Sequence, residues 1–170
     1  MTITTIIDSF ELKLKACVRE VKGKRKVYSG TWNNEEVFVK VFISSDSAQR
    51  HFKRDLEGIE AFNRAKVLTP ELLWSGKFPN IDSITGNSES YGIIVKAVPK
   101  AESLEQRWKS TVNKKELLNN AVGILASHHN GGLIQTDIHF GNFLYSENEC
   151  YSLDGDALEF FQGKDRKSVV

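Results

Sequence analysis

Near the carboxyl end of the chain, Gln135-Thr136-Asp137-Ile138-His139-Phe140-Gly141-Asn142-Phe143-Leu144-Tyr145 is followed by Tyr151-Ser152-Leu153-Asp154-Gly155-Asp156. A carboxylate, a carboxamide five residues later and a carboxylate closing the next short apolar run form a set suited to Mg2+ and a triphosphate. Magnesium takes hard oxygen ligands in octahedral geometry, usually one or two carboxylates, with phosphate and water filling the remaining positions. Asn142 and Asp154 can act as those protein ligands. Asp137 is then left to accept or orient the proton of an attacking hydroxyl. Asp156 reads equally as a second metal contact or a turn residue. His139 reads as a packed or loop-ordering side chain rather than a metal ligand, since no second His or Cys stands at zinc spacing.

The elements that must hold these residues follow from hydrophobic periodicity. In residues 10–18, Phe10, Leu12, Leu14, Ala16 and Val18 alternate with polar neighbours, the period of a half-buried strand. Residues 27–32 read as a second strand, Asn33-Asn34 as a hairpin turn, and residues 36–43 as a third strand. In that third strand Val37, Val39 and Val41 share one face, and Lys40 lies on the other between Phe38 and Phe42. Ser44-Ser45-Asp46-Ser47 offers capping oxygens for a helix carrying Phe52, Leu56, Ile59 and Phe62, which must stop before Pro70. Residues 71–74 and 91–95 read as two further strands joined by a polar loop around Asn80, Asp82, Gly86, Asn87 and Ser88. After Pro99 a short helix is expected over residues 103–109 and a longer one over 114–129. The longer helix has Asn113 and Glu116 as a capping box, Leu118, Val122, Leu125 and His129 along its apolar face, and Gly131-Gly132 as its stop. The expectation is an α+β chain, with five antiparallel strands and one helix over residues 1–98 and a mainly helical part over residues 99–170.

Composition narrows the classes of partner. The chain has 170 residues, 40% hydrophobic and 26% charged, with 23 Lys and Arg against 22 Asp and Glu. A net charge of +1 creates no broad field for nucleic acid or an anionic membrane, so any phosphate recognition must be local. Cys17 and Cys150 have no CxxC spacing and no disulfide framework, which fits a reducing cytoplasm. Residues 1–10 lack the pattern of a secretory signal, and no apolar run reaches the roughly 18 residues a membrane span needs. Any lipid would be met from the surface.

Residues 129–144, together with Leu153-Asp154-Gly155-Asp156, resemble the protein-kinase-like superfamily, whose pattern is LHxxGxxHxDxxxxN followed by a strand ending in Asp. The version here is most similar to the bacterial lipopolysaccharide kinases, including Kdo kinase and the inner-core heptose kinases, which commonly read HGDLHxxNxL and IDxD. The most specific part of the match is Asp137-Ile138-His139-Phe140-Gly141-Asn142. The resemblance implies a protein-kinase-like two-lobed fold and an ATP- and Mg2+-dependent phosphotransferase. Its acceptor would be the hydroxyl of a lipopolysaccharide core sugar, lipid-linked at the membrane surface. The protein would be cytoplasmic or peripheral at the inner face of the membrane.

The resemblance also implies roles. Asp137 would orient the acceptor hydroxyl, Asn142 and Asp154 would hold Mg2+, and Lys40 in Val39-Lys40-Val41 would contact the α- and β-phosphates of ATP. Asp55, after Arg54 and ahead of Pro70, would steady Lys40, with Glu57 as the alternative acid. The segment from Tyr91 to Leu104 takes the place of the fifth strand and hinge, so that backbone groups at Lys96 and Ala97 would pair with adenine. Lys22-Gly23-Lys24-Arg25-Lys26 takes the place of the loop over the phosphates; it lacks GxGxxG, so Lys24 and Arg25 either share that work or form a solvated turn. His129 would be a structural histidine bonded to the loop of Asp137.

Two departures accompany the resemblance. Gln135 and Thr136 stand where the family has His and Gly, so the histidine that braces the metal strand is expected to be missing. Only residues 157–170 follow the metal strand, where the family has a loop and several helices. A truncated carboxyl lobe is therefore expected, with the apolar face of the 114–129 helix left for another chain or an absent segment. Rival readings are a catalytically inactive, pseudokinase-like binding module or fragment, and a kinase of the same fold acting on a small molecule or a protein.

Overall fold

In the computed structural model, residues 2–43, 47–86 and 89–161 are described. Asp8 and Ser9, at φ 48° and 70°, turn strand β1 (Ile3–Ile7) back onto β2 (Phe10–Val21). Asn33 and Asn34, at φ 48° and 65°, make the left-handed two-residue turn that suits the twist between β3 (Arg25–Trp32) and β4 (Glu35–Phe42). The helix α1 (Ala48–Arg64) follows; the expected capping residues Ser44, Ser45 and Asp46 lie outside the described residues. As expected, Phe52, Ile59 and Phe62 are buried along it.

Strand β5 (Leu72–Lys77), a short helix α2 (Asp82–Thr85) and strand β6 (Tyr91–Lys96) complete an antiparallel sheet in the order β1-β2-β3-β4-β6-β5. The expected sheet had five strands, and β1 is the addition. Its run Ile3-Thr4-Thr5-Ile6-Ile7 has strand propensity throughout but no apolar-polar alternation to announce which side is buried. The segment between β5 and β6, expected to be plain loop, holds α2, while Asn87 and Ser88 lie outside the described residues. The buried face is the one periodicity marks: Leu12, Leu14, Val37, Val39 and Val41 pack with Ile94, Phe78 and Ile84.

The chain divides into two compact units, Met1–Leu56 with Pro70–Pro99, and Glu57–Thr69 with Lys100–Val170. In the second unit, β7 (Glu102–Ser103) leads into α3 (Leu104–Ser110), whose first turn is closed by the reciprocal bonds of Ser103 and Gln106. Helix α4 (Lys114–Asn130) comes next, then β8 (Leu133–Gln135), a 3-10 turn (Phe140–Asn142), β9 (Phe143–Ser146), β10 (Glu149–Ser152) and β11 (Leu158–Phe160). These strands form two small antiparallel sheets, β10-β9-β7 and β11-β8. Asn113 caps α4 by accepting the Glu116 N–H at 3.2 Å, and Glu116 answers to the Asn113 side chain at 2.7 Å.

The buried face of α4 differs from the expected one. Leu117, Ala121, Ile124 and His128 point into the core with Phe62, Leu104, Leu133 and Phe143, whereas Leu118 and Val122 are exposed. The helix has two adjacent apolar stripes, and the polar residue that decides between them is His128, which finds a buried partner. Cys17 is exposed; Cys150 is buried, and that burial pushes its thiol up to about 11. Among the described residues no helix is long and apolar enough to cross a membrane.

Candidate active site

In the first unit the strand period fixes the position of Lys40. With Val37, Val39 and Val41 committed to the core, Lys40 must emerge on the opposite face of β4, flanked by half-buried Phe38 and buried Phe42. The beginning of α1 packs on that face through Phe52, whose ring meets Phe42 edge-on at 6.1 Å and stacks on Tyr91 at 5.2 Å. One helical turn after Phe52, Asp55 is fully buried, and its Oδ2 lies 2.6 Å from Lys40 Nζ. Of the two candidate acids, Asp55 makes this pair and Glu57 is exposed. A buried carboxylate must be compensated, so each partner fixes the rotamer of the other.

Lys24 and Arg25 sit at the turn between β2 and β3, where Gly23 at φ 71° reverses the chain. The Lys24 carbonyl accepts the Ile43 N–H at 2.9 Å, which ties this turn to the end of β4. Lys24 is exposed and Arg25 half-buried. Lys96 and Ala97 depart from expectation in one respect. The Lys96 N–H donates to Glu71 O at 2.9 Å and the Ala97 N–H to Glu36 O at 2.8 Å, so both amides are engaged within the sheet. The Lys96 ammonium pairs with Glu35 at 2.6 Å.

In the second unit one side-chain bond and one backbone bond from Asn142 tie the loop of Asp137 to the residue before Asp154. Asn142 Nδ2 donates to the Asp137 carbonyl at 3.0 Å, and the Asn142 carbonyl accepts the Leu153 N–H at 3.0 Å, one residue before Asp154. Asn142 is 1% exposed, and its Oδ1 is buried with no hydrogen-bond partner among the described residues. Leaving such an oxygen unsatisfied costs about 1–3 kcal/mol, a cost that a bound cation would remove. Asp154 is also buried, and its Oδ1 accepts the Asp156 N–H at 3.4 Å. One carboxamide oxygen and one carboxylate make the sparse, hard set that Mg2+ accepts when phosphate and water complete the octahedron. The residues present fit that ion. Asp137 keeps an exposed carboxylate, with its Oδ2 3.6 Å from His139 Nε2. The other nitrogen of His139 accepts the Gly141 N–H at 3.1 Å, so this ring orders the loop.

Several residues that hold this site were not legible as such. His129, expected to be the structural histidine, is exposed; His128 is the buried one, with Nε2 2.7 Å from Ser152 Oγ and its ring against Phe62 and Phe143. Burial, with a smaller contribution from His129, pushes His128 down to about 4, so it is neutral at pH 7. Ser152 also takes the Thr69 hydroxyl on its carbonyl at 2.9 Å and gives its N–H to Leu68 at 2.8 Å. Gln135, expected to leave the metal strand unbraced, is buried and donates through Nε2 to the Asp154 carbonyl at 3.4 Å. Gly58 lies against the residue after Asp154, where a Cβ would meet Gly155 Cα and O at 2.3 Å. Side-chain chemistry announces none of these; only His128, a polar residue inside an apolar stripe, carries a visible signal.

No family model matches the chain, and no curated protein matches it. Solved structures do. The structure described as WaaP in complex with acyl carrier protein matches with a TM-score of 0.58 at 16% identity, over 86% of this chain and 63% of that one. The BubR1 kinase domain matches with a TM-score of 0.66 at 16% identity, over 94% of this chain and 50% of that one. At this identity the likeness speaks for the fold, which is protein-kinase-like. The chain spans between half and two-thirds of the length of these two solved chains, at 50% and 63%.

Proposed function

We propose that this chain is an ATP- and Mg2+-dependent phosphotransferase that moves the γ-phosphoryl group of ATP to a hydroxyl, with a lipopolysaccharide core sugar as acceptor. The observation that most supports the reading is Asn142, whose buried Oδ1 has no partner among the described residues while its Nδ2 holds the loop of Asp137. Asn142 and Asp154 would hold the metal. When bound, Mg2+ supplies the positive charge that offsets charge building on the phosphate oxygens. Asp137, with its exposed carboxylate, would orient the acceptor hydroxyl and take its proton. Lys40, steadied by Asp55, would hold the α- and β-phosphates, and Lys24 and Arg25 would add charge-assisted hydrogen bonds to them. With their amides engaged, Lys96 and Ala97 would meet adenine through other groups. The sugar acceptor rests on the resemblance of Asp137-Ile138-His139-Phe140-Gly141-Asn142 to the lipopolysaccharide kinases, and with it the setting, the cytoplasm or the inner face of the membrane.

Calorimetric titration of the full chain with Mg·ATP tests the nucleotide half of this reading. Binding that needs Mg2+ and is lost in Asp154→Asn and Asn142→Leu, with far-UV circular dichroism unchanged, supports it. Absence of metal-dependent binding in the parent chain sinks it. Transfer of label from γ-labelled ATP to candidate acceptors, including core sugars, other small alcohols and protein hydroxyls, then decides the substrate.

A second reading, a binding module of kinase-like fold without chemistry, is favoured by the engaged amides of Lys96 and Ala97. It expects no Mg2+-dependent ATP binding and an Asp137→Asn variant equivalent to the parent in every assay.

A further inference from the structure

Residues 13–26 contain seven Lys and Arg and a single acid, Glu20, in a chain whose net charge is +1. Part of that charge is already answered. Lys13 pairs with Glu11 at 2.6 Å, Lys15 with Glu36 at 3.7 Å and Lys26 with Glu20 at 4.0 Å. Arg19 on β2 is exposed and has no ion pair among the described residues. Val18 is the extra residue of a bulge between Cys17 and Arg19, and a bulge re-aims the side chain beside it. Strand register sets the direction. Arg19 stands opposite Val27 on β3, and Val27 opposite Lys40 on β4, so the three share one face of the sheet, the face on which Asp55 holds Lys40. Two strand spacings, about 10 Å, separate the two cations, with half-buried Val27 between them.

We propose that Arg19 and Lys40 form a two-point clamp across Val27 for a polyphosphate chain, that of the nucleotide. The inference rests on the nucleotide half of the proposed function and adds to it a binding residue on β2. Its neighbours leave Arg19 this task. Lys26, opposite Val41, belongs to the other face of the sheet and donates to the Ile84 carbonyl at 3.4 Å. Arg25, opposite Phe42, lies on the face of Lys40 two residues before Val27 and flanks the clamp. A glycine-rich turn lends its backbone amides to phosphate, but here the Lys24 N–H is already given to the Val21 carbonyl at 2.9 Å, so side chains must supply donors. A guanidinium suits the task, because its forked N–H groups match two phosphate oxygens at once, whereas the Lys40 ammonium acts as a point charge.

Calorimetric titration of the full 170-residue chain with Mg·ATP and, separately, with inorganic tripolyphosphate tests the clamp. Arg19→Gln is expected to raise both dissociation constants by about tenfold, Arg19→Lys by less and Arg19→Glu by more. Lys15→Gln removes the same charge from the same strand and should change neither by more than about twofold. A parent chain that binds Mg·ATP while Arg19→Gln binds it equally well overturns the clamp and leaves the proposed function standing. Equal losses in Arg19→Gln and Lys15→Gln also overturn it, because net charge alone would then explain them. Binding of tripolyphosphate that depends on Arg19, without binding of Mg·ATP, keeps the clamp and sinks the proposed function; binding of neither overturns both. Arg19 is exposed, so its variants should melt with the parent. If Arg19→Gln melts lower, the order of the Lys, Gln and Glu variants decides: affinities that follow charge support the clamp, and affinities that do not overturn it.

Discussion

Gly58 of α1 and Gly155, the residue after Asp154, meet backbone to backbone, close enough that a Cβ on Gly58 would lie 2.3 Å from both the Cα and the carbonyl oxygen of Gly155. Replacing a helical glycine by alanine normally stabilises by about 1 kcal/mol. Here the methyl group meets main chain that has no rotamer to yield, and overpacking of that kind costs about 1–3 kcal/mol or more. Gly58→Ala is expected to lower stability in urea denaturation, against the helix-propensity trend. Under the proposed function it also weakens Mg·ATP binding.

The Lys40–Asp55 pair gives a second expectation. Asp55 is fully buried and Lys40 keeps 16% of its side chain exposed. Removing one partner of a buried pair costs about 3–5 kcal/mol, and the partial exposure of Lys40 puts Asp55→Ala near the lower end, about 3 kcal/mol. Urea denaturation should find the parent most stable, Asp55→Asn next and Asp55→Ala least stable, because the amide keeps an acceptor for the ammonium.

His128 makes stability depend on pH. The unfolded imidazole titrates near 6.5 and the folded one near 4, because burial disfavours its charged form. Between those values the unfolded chain binds the extra proton, so stability falls as pH drops from about 6.5 to about 4. Above that window the contribution is flat, and below it both states are protonated and no more is lost. The gap is worth at most about 3 kcal/mol. Denaturation at pH 7 and pH 4.5 should show the drop in the parent and a smaller one in His128→Gln.

The two cysteines should separate cleanly in a thiol assay. Cys17 is exposed, while Cys150 is buried with its thiol pushed up to about 11. The thiolate is the reactive form, so a disulfide reagent at pH 8 is expected to modify Cys17 alone in the native chain and both in denaturant. Rapid native reaction of Cys150 would show that β10 opens readily.

What could be read in the sequence was short-range. The alternation of Val37, Val39 and Val41 assigns their face and, by default, that of Lys40. The spacing of Asp137 and Asn142 is closed by a bond within one loop. What could not be read depends on distant partners. Gln135 braces the Asp154 segment through a main-chain carbonyl, for which sequence leaves no mark. Gly58 matters only because Gly155 is opposite. The choice between the two stripes of α4 rests on a serine hydroxyl that His128 finds on β10. Strand β1 was hidden because uniform β-branched residues carry propensity without period.

The two ends of one carboxamide differ in Asn142: Nδ2 tethers the loop, and Oδ1 is the atom that the proposed function gives to a ligand. Aspartate would keep the oxygen and lose the tether; glutamine would carry both a methylene too far. Selection for architecture and selection for chemistry therefore cannot be separated at this position. A chain of this fold without catalysis would still be expected to keep Asn142 for the tether, which makes its presence a poor witness to activity. Asp137 is the better witness, because it accepts the tether through its main-chain carbonyl and its carboxylate would be free to drift once unused.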